Sequence, residues 1–211
     1  MTKINTFIFD IDGTLIDTFD MYMPAMVETL CKHGYPVKDE QATMKHLFGI
    51  TGDDALRLFG VQAADRAAIQ KEWFALAYQR EDRVKPFPKI PEALTELAAV
   101  SGNLLGVATS KLRTEYDHFA ETYPFAQLFD TVITSADTVN HKPDPEPILA
   151  AVEKLGARPE ESVYVGDTVN DLRAAKAAGV KFAGALYGSA NLDAIKDADY
   201  PLTSPLDLLK I

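Results

Sequence analysis

Five short apolar runs stand out along the chain: "TFIFD" at 6–10, "LLGVAT" at 104–109, "FDTVIT" at 129–134, "SVYVGD" at 162–167 and "KFAGAL" at 181–186. None alternates strictly between apolar and polar residues, so each reads as a strand buried on both faces. Between the last four, the apolar positions fall at helical spacing. Residues 146–155 align Ile148, Leu149, Val152 and Leu155 on one face, and 170–178 runs up to Gly179, a residue suited to a helix C-terminal cap. Segment 111–121 follows Ser110, a good N-cap residue. Strands that alternate with single helices predict an α/β fold built on a parallel doubly wound sheet.

The alternation is interrupted once. The chain from "TFIFD" to "LLGVAT" is far longer than one crossover needs, and residues 15–88 read as helices only. Met23, Met26, Val27 and Leu30 form one apolar stripe, and Ile69, Trp73, Leu76 and Ala77 form another, as expected for the core of a helical bundle. The proline-rich "KPFPKIP" at 85–91 reads as the return linker. The predicted organisation is therefore an α/β core domain made of 1–14 and 89–211, split by a helical domain at 15–88.

Composition narrows the setting. A 211-residue chain that is 47% apolar and 25% charged matches a folded globular protein. No apolar stretch approaches bilayer length, and the N-terminus lacks a signal-peptide layout, so a soluble cytoplasmic protein is expected. A single cysteine, Cys31, excludes an intrachain disulfide and is expected to be a partly buried thiol. The formal charge of −10 argues against nucleic acid or an anionic membrane as partner. The four histidines do not fall at zinc spacing and read as surface or packing residues.

In a doubly wound sheet, ligands bind outside the carboxyl ends of the strands. The first strand here ends in Asp10, with Asp12 two residues on. The second ends in Thr109 and Ser110, the third is followed by "SADTVNHKPDP" with Lys142, and the fourth ends in "GDTVND" with Asp167 and Asp171. This set suits phosphoryl transfer. A carboxylate attacking a phosphate dianion meets strong repulsion, which a bridging Mg2+ removes. Asp10, Asp167 and the backbone carbonyl of Asp12 can hold such an ion, and Lys142 adds fixed positive charge. Thr109, Ser110 and the N–H groups that follow can hold phosphate oxygens. Asp10 would attack and form an aspartyl-phosphate, while Asp12 would move protons as general acid and then base. Gly13 lets the chain turn and Thr14 can bond locally, with both counted to the substrate-facing turn.

These motifs resemble those of the haloacid dehalogenase-like hydrolase superfamily over essentially the whole chain. "DIDGT" at 10–14 matches the nucleophile motif, Thr109 in "VATSK" the second, Lys142 in "HKPDP" the third and "GDTVND" the fourth. The resemblance implies Asp10 as nucleophile, Asp12 as acid/base and Mg2+ as cofactor, with Asp171 near the metal in an outer or secondary role. The helical insert looks like the small α-helical cap of the phosphoglycolate phosphatase-like branch. The function implied is a Mg-dependent phosphatase for a small phosphorylated metabolite, acting as a monomer or homodimer.

Alternatives within the superfamily turn on particular positions. True dehalogenases lack the second acid, so Asp12 points to phosphate chemistry. β-Phosphoglucomutase-like members grip a second phosphate with a cap-loop Arg, where "FGITGDDAL" here aligns Gly52. Pyrophosphatases and nucleotidases of the superfamily share the core motifs. A phosphonate hydrolase would use a cap lysine such as Lys45. A receiver domain needs neither the insert nor the second acid, and a non-catalytic binder of phospho-ligands would be expected to lose a motif residue. The loop Gly49, Ile50, Thr51 and Gly52 is expected to touch the substrate and choose the leaving group, because the core motifs grip only the transferring phosphate.

Overall fold

The computed structural model describes residues 3–211. Strand β1 (Thr6–Phe9) lies inside a six-stranded sheet, flanked by β4 (Leu104–Ala108) and β6 (Ser162–Gly166). Beyond β4 lies β5 (Thr131–Ile133), and beyond β6 lie β7 (Lys181–Ala185) and β8 (Tyr200–Leu202). Every pairing in this sheet is parallel. Both faces are covered. Phe7 and Phe9 pack on one side with Leu94, Phe119 and Val163, while Ile8 packs on the other with Ile148, Tyr164 and Phe182. One tetrapeptide thus feeds two cores through the strand's two-residue period.

The five predicted strands form at their expected places. The sixth, β8, was not read from the sequence: it is three residues long and contains Pro201, which is tolerated at a sheet edge. Helices α7 (Glu146–Lys154) and α8 (Val169–Ala178) match the predicted periodic segments, and α8 closes at Gly179 with φ of 70°. The helix expected from 111 begins later, as α6 (Arg113–Thr122). Its first turn is closed by the Glu115 carboxylate, which accepts the Leu112 N–H at 2.9 Å. Ser110 is therefore not the cap, and residues 109–111 form an irregular, bent segment at the sheet rim.

Between β1 and β4 the chain forms α1 (Phe19–Lys32), α2 (Glu40–Leu47), α3 (Gly52–Phe59) and α4 (Ala63–Tyr78), then α5 (Ile90–Ala99) against the sheet. The stripes of α1 and α4 face each other. Met23, Met26, Val27 and Leu30 join Ile69, Trp73 and Ala77 in a separate apolar cluster, with Leu76 only half-buried at its margin. The Trp73 indole N–H donates to the Tyr22 carbonyl at 2.7 Å, which binds the two helices by a polar contact as well. Trp73→Ala is expected to cost about 3–5 kcal/mol of stability, since a large buried ring leaves a cavity and Tyr22 loses its donor. Urea unfolding followed by circular dichroism measures it. Contrary to expectation, Cys31 is exposed, outside the apolar cluster that its neighbour Leu30 joins.

The two chain crossings of the insert meet. β2 (Ile16–Asp17) and β3 (Lys85–Pro86) pair antiparallel as a two-stranded ribbon. No helix among the described residues is long and apolar enough to cross a membrane.

Candidate active site

The carboxyl ends of β1 and β6 bring three carboxylates together. Asp10, Asp167 and Asp171 are all buried and each offers an oxygen within 4.8 Å of the others. One buried cation stands among them: Lys142 Nζ lies 2.7 Å from Asp10 Oδ2 and 2.8 Å from Asp171 Oδ1. Lys142 also donates to the Tyr164 hydroxyl at 3.0 Å, which in turn donates to the Ala108 carbonyl. The second oxygen of Asp171 accepts the N–H and hydroxyl of Thr168 and closes the first turn of α8. Both Asp171 oxygens are thus engaged, and the residue acts as an anchor for Lys142.

Asp167 is arranged differently. Its Oδ1 accepts the Thr14 hydroxyl at 3.1 Å, while its buried Oδ2 has no partner among the described residues. A buried carboxylate oxygen left unpaired is costly unless a cation supplies the missing interaction. Burial, followed by the charges of Asp171 and Asp10, pushes the Asp167 carboxyl well above its ordinary range. Burial likewise raises Asp10 to about 6, against the pull of Lys142. Burial alone would lower Lys142, but Asp10 and Asp171 outweigh it and hold the ammonium well above its usual range. Three acids facing one lysine, with one hard oxygen left over, is a donor set that fits a divalent cation.

The turn after β1 is compressed against Asp167. Gly13 has φ of 74°, and a Cβ there would land on the Asp167 carboxylate. Glycine is thus required twice, for the left-handed backbone and for the close approach. Both residues of the predicted turn thus contact Asp167. They shape the acidic pocket, and the Thr14 hydroxyl is directed to Asp167. Thr109 is buried beside them, its hydroxyl accepting the Lys111 N–H at 3.3 Å.

Asp12 stands apart from this cluster and is half-buried. Its Oδ1 accepts the Thr18 hydroxyl at 2.8 Å and pairs with Lys111 Nζ at 2.9 Å. Lys111 is buried; burial alone would lower its ammonium, but Asp12 and then Glu115 more than offset that and raise it. The Tyr22 hydroxyl, from α1, donates to Glu115 at 2.9 Å and lies 3.3 Å from Lys111 Nζ. Asp12 is thus held by a chain of groups that crosses from the sheet to the helical insert. Sequence reading passed over Lys111 and Tyr22. The available signal was the place of Lys111 three residues beyond the end of β4, at the rim where ligands bind.

A cavity of about 300 Å³ opens onto Asp10 and Asp12 and runs up between the sheet rim and the insert. The predicted loop lines it, with Gly49, Ile50, Thr51 and Gly52 all on its wall, together with Ser110. The Ser110 hydroxyl donates to the Gly49 carbonyl at 3.4 Å, and a Cβ at Gly49 would meet Thr168 at 2.5 Å, so this loop sits directly on the rim. Thr51 caps α3, its hydroxyl engaged with Asp54. His141, read as a surface or packing residue, also lines the cavity, paired with Asp54 at 3.4 Å.

The chain is similar to several known proteins. Residues 7–185 match the model of the haloacid dehalogenase-like hydrolases. Pyrophosphatase PpaX of Bacillus velezensis is 33% identical over 214 residues, covering 99% of this chain and 96% of that protein. The crystal structure of a Lactobacillus plantarum protein with a provisional phosphoglycolate phosphatase name is similar at a TM-score of 0.88 and 29% identity, covering 99% of both chains. A β-phosphoglucomutase from Clostridium difficile shares the fold at a TM-score of 0.82 and 19% identity, covering 97% of this chain and 93% of that one. With the family model matched over most of its length and relatives similar along nearly all of it, the chain belongs to the haloacid dehalogenase-like hydrolases, as a phosphatase of their phosphoglycolate phosphatase-like branch.

Proposed function

We propose that the protein hydrolyses a small phosphate monoester in two steps through Asp10, with Mg2+ as cofactor. The observation that carries this reading is the unpartnered Asp167 oxygen beside Asp10, at the foot of a cavity that also presents Asp12. Asp10 and Asp167 would hold the ion, with the Asp12 carbonyl as a further ligand and Asp171 behind them fixing Lys142. When bound, the ion supplies charge neutralisation between the carboxylate and the phosphate.

The chain's own residues do the rest. An Asp10 carboxylate oxygen forms a bond to phosphorus as the ester P–O bond breaks, and Asp12 gives its proton to the departing alkoxide. Water then attacks the aspartyl-phosphate while Asp12 takes its proton, which releases phosphate and restores Asp10. Lys142 neutralises charge on Asp10 and the transferring group throughout, and Thr109 and Ser110 orient phosphate oxygens. We further propose 1–14 with 89–211 as the catalytic domain and 15–88 as a cap that excludes water over the substrate. A pyrophosphate substrate is the second reading, favoured by the name of the Bacillus velezensis relative. The same Asp10 chemistry would serve it, so the two readings differ only in what occupies the cavity.

Metal removal tests the reading. EDTA-treated protein is expected to lose turnover, and added Mg2+ should restore it. Saturating Mg2+ should also raise Tm by about 5 °C or more, as binding to the folded state alone does. Asp167→Asn should abolish this Mg2+-induced shift while making the metal-free protein no less stable, because one buried repelling charge is gone. Full activity without metal would overturn the proposal.

A further inference from the structure

Beyond the phosphoryl end, the cavity wall is chemically one-sided. Phe48, Ile50, Trp73 and Phe74 of the insert form an apolar and largely aromatic ledge. The Phe74 ring lies 5.1 Å from Trp73 and 5.7 Å from Tyr22, centroid to centroid, in edge-on and tilted arrangements. The basic groups on the wall are Lys111 and His141, and each already has an acid: Asp12 for Lys111, Asp54 for His141. Glu115 adds negative charge at the same wall. The uncharged polar group facing this space from α4 is the Gln70 carboxamide.

Gly52 explains how that wall is built. A Cβ at 52 would stand 2.7 Å from Gln70 Nε2 and 3.1 Å from the Phe74 ring. Any side chain at this position would push both groups aside, so the glycine is what lets an amide and an aromatic ring face the substrate together. An anionic leaving group here would be desolvated against aromatic rings and carboxylates with no unpaired cation to receive it. A neutral one would bury apolar area on the rings and hydrogen-bond the amide.

We propose that the substrate is the phosphate monoester of an uncharged alcohol carrying a flat apolar body, and that pyrophosphate and carboxylate-bearing phosphoesters are rejected. This rests on the phosphatase reading above and specifies the leaving group that the reading left open. A cavity of about 300 Å³ fits an alcohol of one or two rings, at the low end of small-molecule sites.

The test compares kcat/KM of the Mg2+-loaded protein for benzyl phosphate, ethyl phosphate, phosphoglycolate and pyrophosphate. Benzyl and ethyl alcohols are of similar basicity, so their ratio reads the ledge and not the chemistry of departure. Benzyl phosphate is expected to exceed ethyl phosphate by about tenfold or more, the scale of an apolar pocket's discrimination, and to exceed the two anionic compounds by roughly 100-fold. Phe74→Ala should shrink the benzyl-to-ethyl ratio about tenfold. Gln70→Arg, which supplies the missing cation, should raise pyrophosphate hydrolysis relative to benzyl phosphate. A wild-type preference for pyrophosphate or phosphoglycolate, or equal use of benzyl and ethyl phosphate, would overturn the inference and leave the phosphatase reading standing. No turnover of any of the four would overturn both.

Discussion

Asp10→Asn is expected to lower turnover by roughly a factor of 10⁵ or more, the scale seen when a nucleophile is removed from a concerted site, with the fold retained. The amide is close to the same size but cannot attack phosphorus at a useful rate. The fold should tolerate it because Lys142 keeps Asp171 at 2.8 Å and the Tyr164 hydroxyl at 3.0 Å. The substitution also removes one of three clustered acids, so the metal-free protein should not lose stability. Circular dichroism and thermal unfolding would report the intact fold. The companion measurement is covalent: mass spectrometry of acid-quenched wild-type protein should find the phosphate adduct on Asp10. An adduct on any other residue would refute the assignment.

Asp12→Asn is the second large effect, about 100-fold or more on an unactivated alkyl phosphate, the range of general acid–base catalysis. The reason lies in how the carboxylate is held. Thr18 and Lys111 both engage Oδ1, which leaves Oδ2 for proton transfer. Asn cannot carry that proton in either half of the reaction. The two halves separate with a leaving group that needs no acid: 4-nitrophenyl phosphate should still phosphorylate Asp10, giving a burst followed by slow turnover, because the base for water is missing. A variant that loses both phases equally would place Asp12 in binding and not in proton transfer.

Much of this architecture was legible in advance. Buried strands separated by helical spacing, with acids at the strand ends, give the sheet and its reactive rim directly, since period and position are local properties of the chain. What escaped was non-local. Lys111 carries no mark of burial in the sequence until Asp12 and Tyr22, from other elements, close around it. The part of Thr14 and Gly13 in shaping Asp167 depends on a contact between residues far apart in sequence. The late start of α6 follows from Glu115 capping the turn, which a good N-cap type at Ser110 obscured. Strand β8 is too short, and too marked by its proline, to register as a period of two. The loop at 49–52 was found by its place in a known motif order, whereas the reason for Gly52 became visible only with Gln70 and Phe74 beside it.

The β2–β3 ribbon has a consequence for how such proteins diversify. Ile16 pairs with Pro86 and Asp17 with Lys85, so the entry and exit of the inserted helices are neighbours joined by backbone hydrogen bonds. To the sheet, the whole insert is a loop whose ends already touch. Its closure is fixed at the ribbon, and lengthening or exchanging what lies beyond leaves the register of β1, β4 and β6 undisturbed. The inserted helices can therefore vary in sequence and size while the acids at the strand ends stay in place, which is a physical route for one reaction core to acquire new substrates.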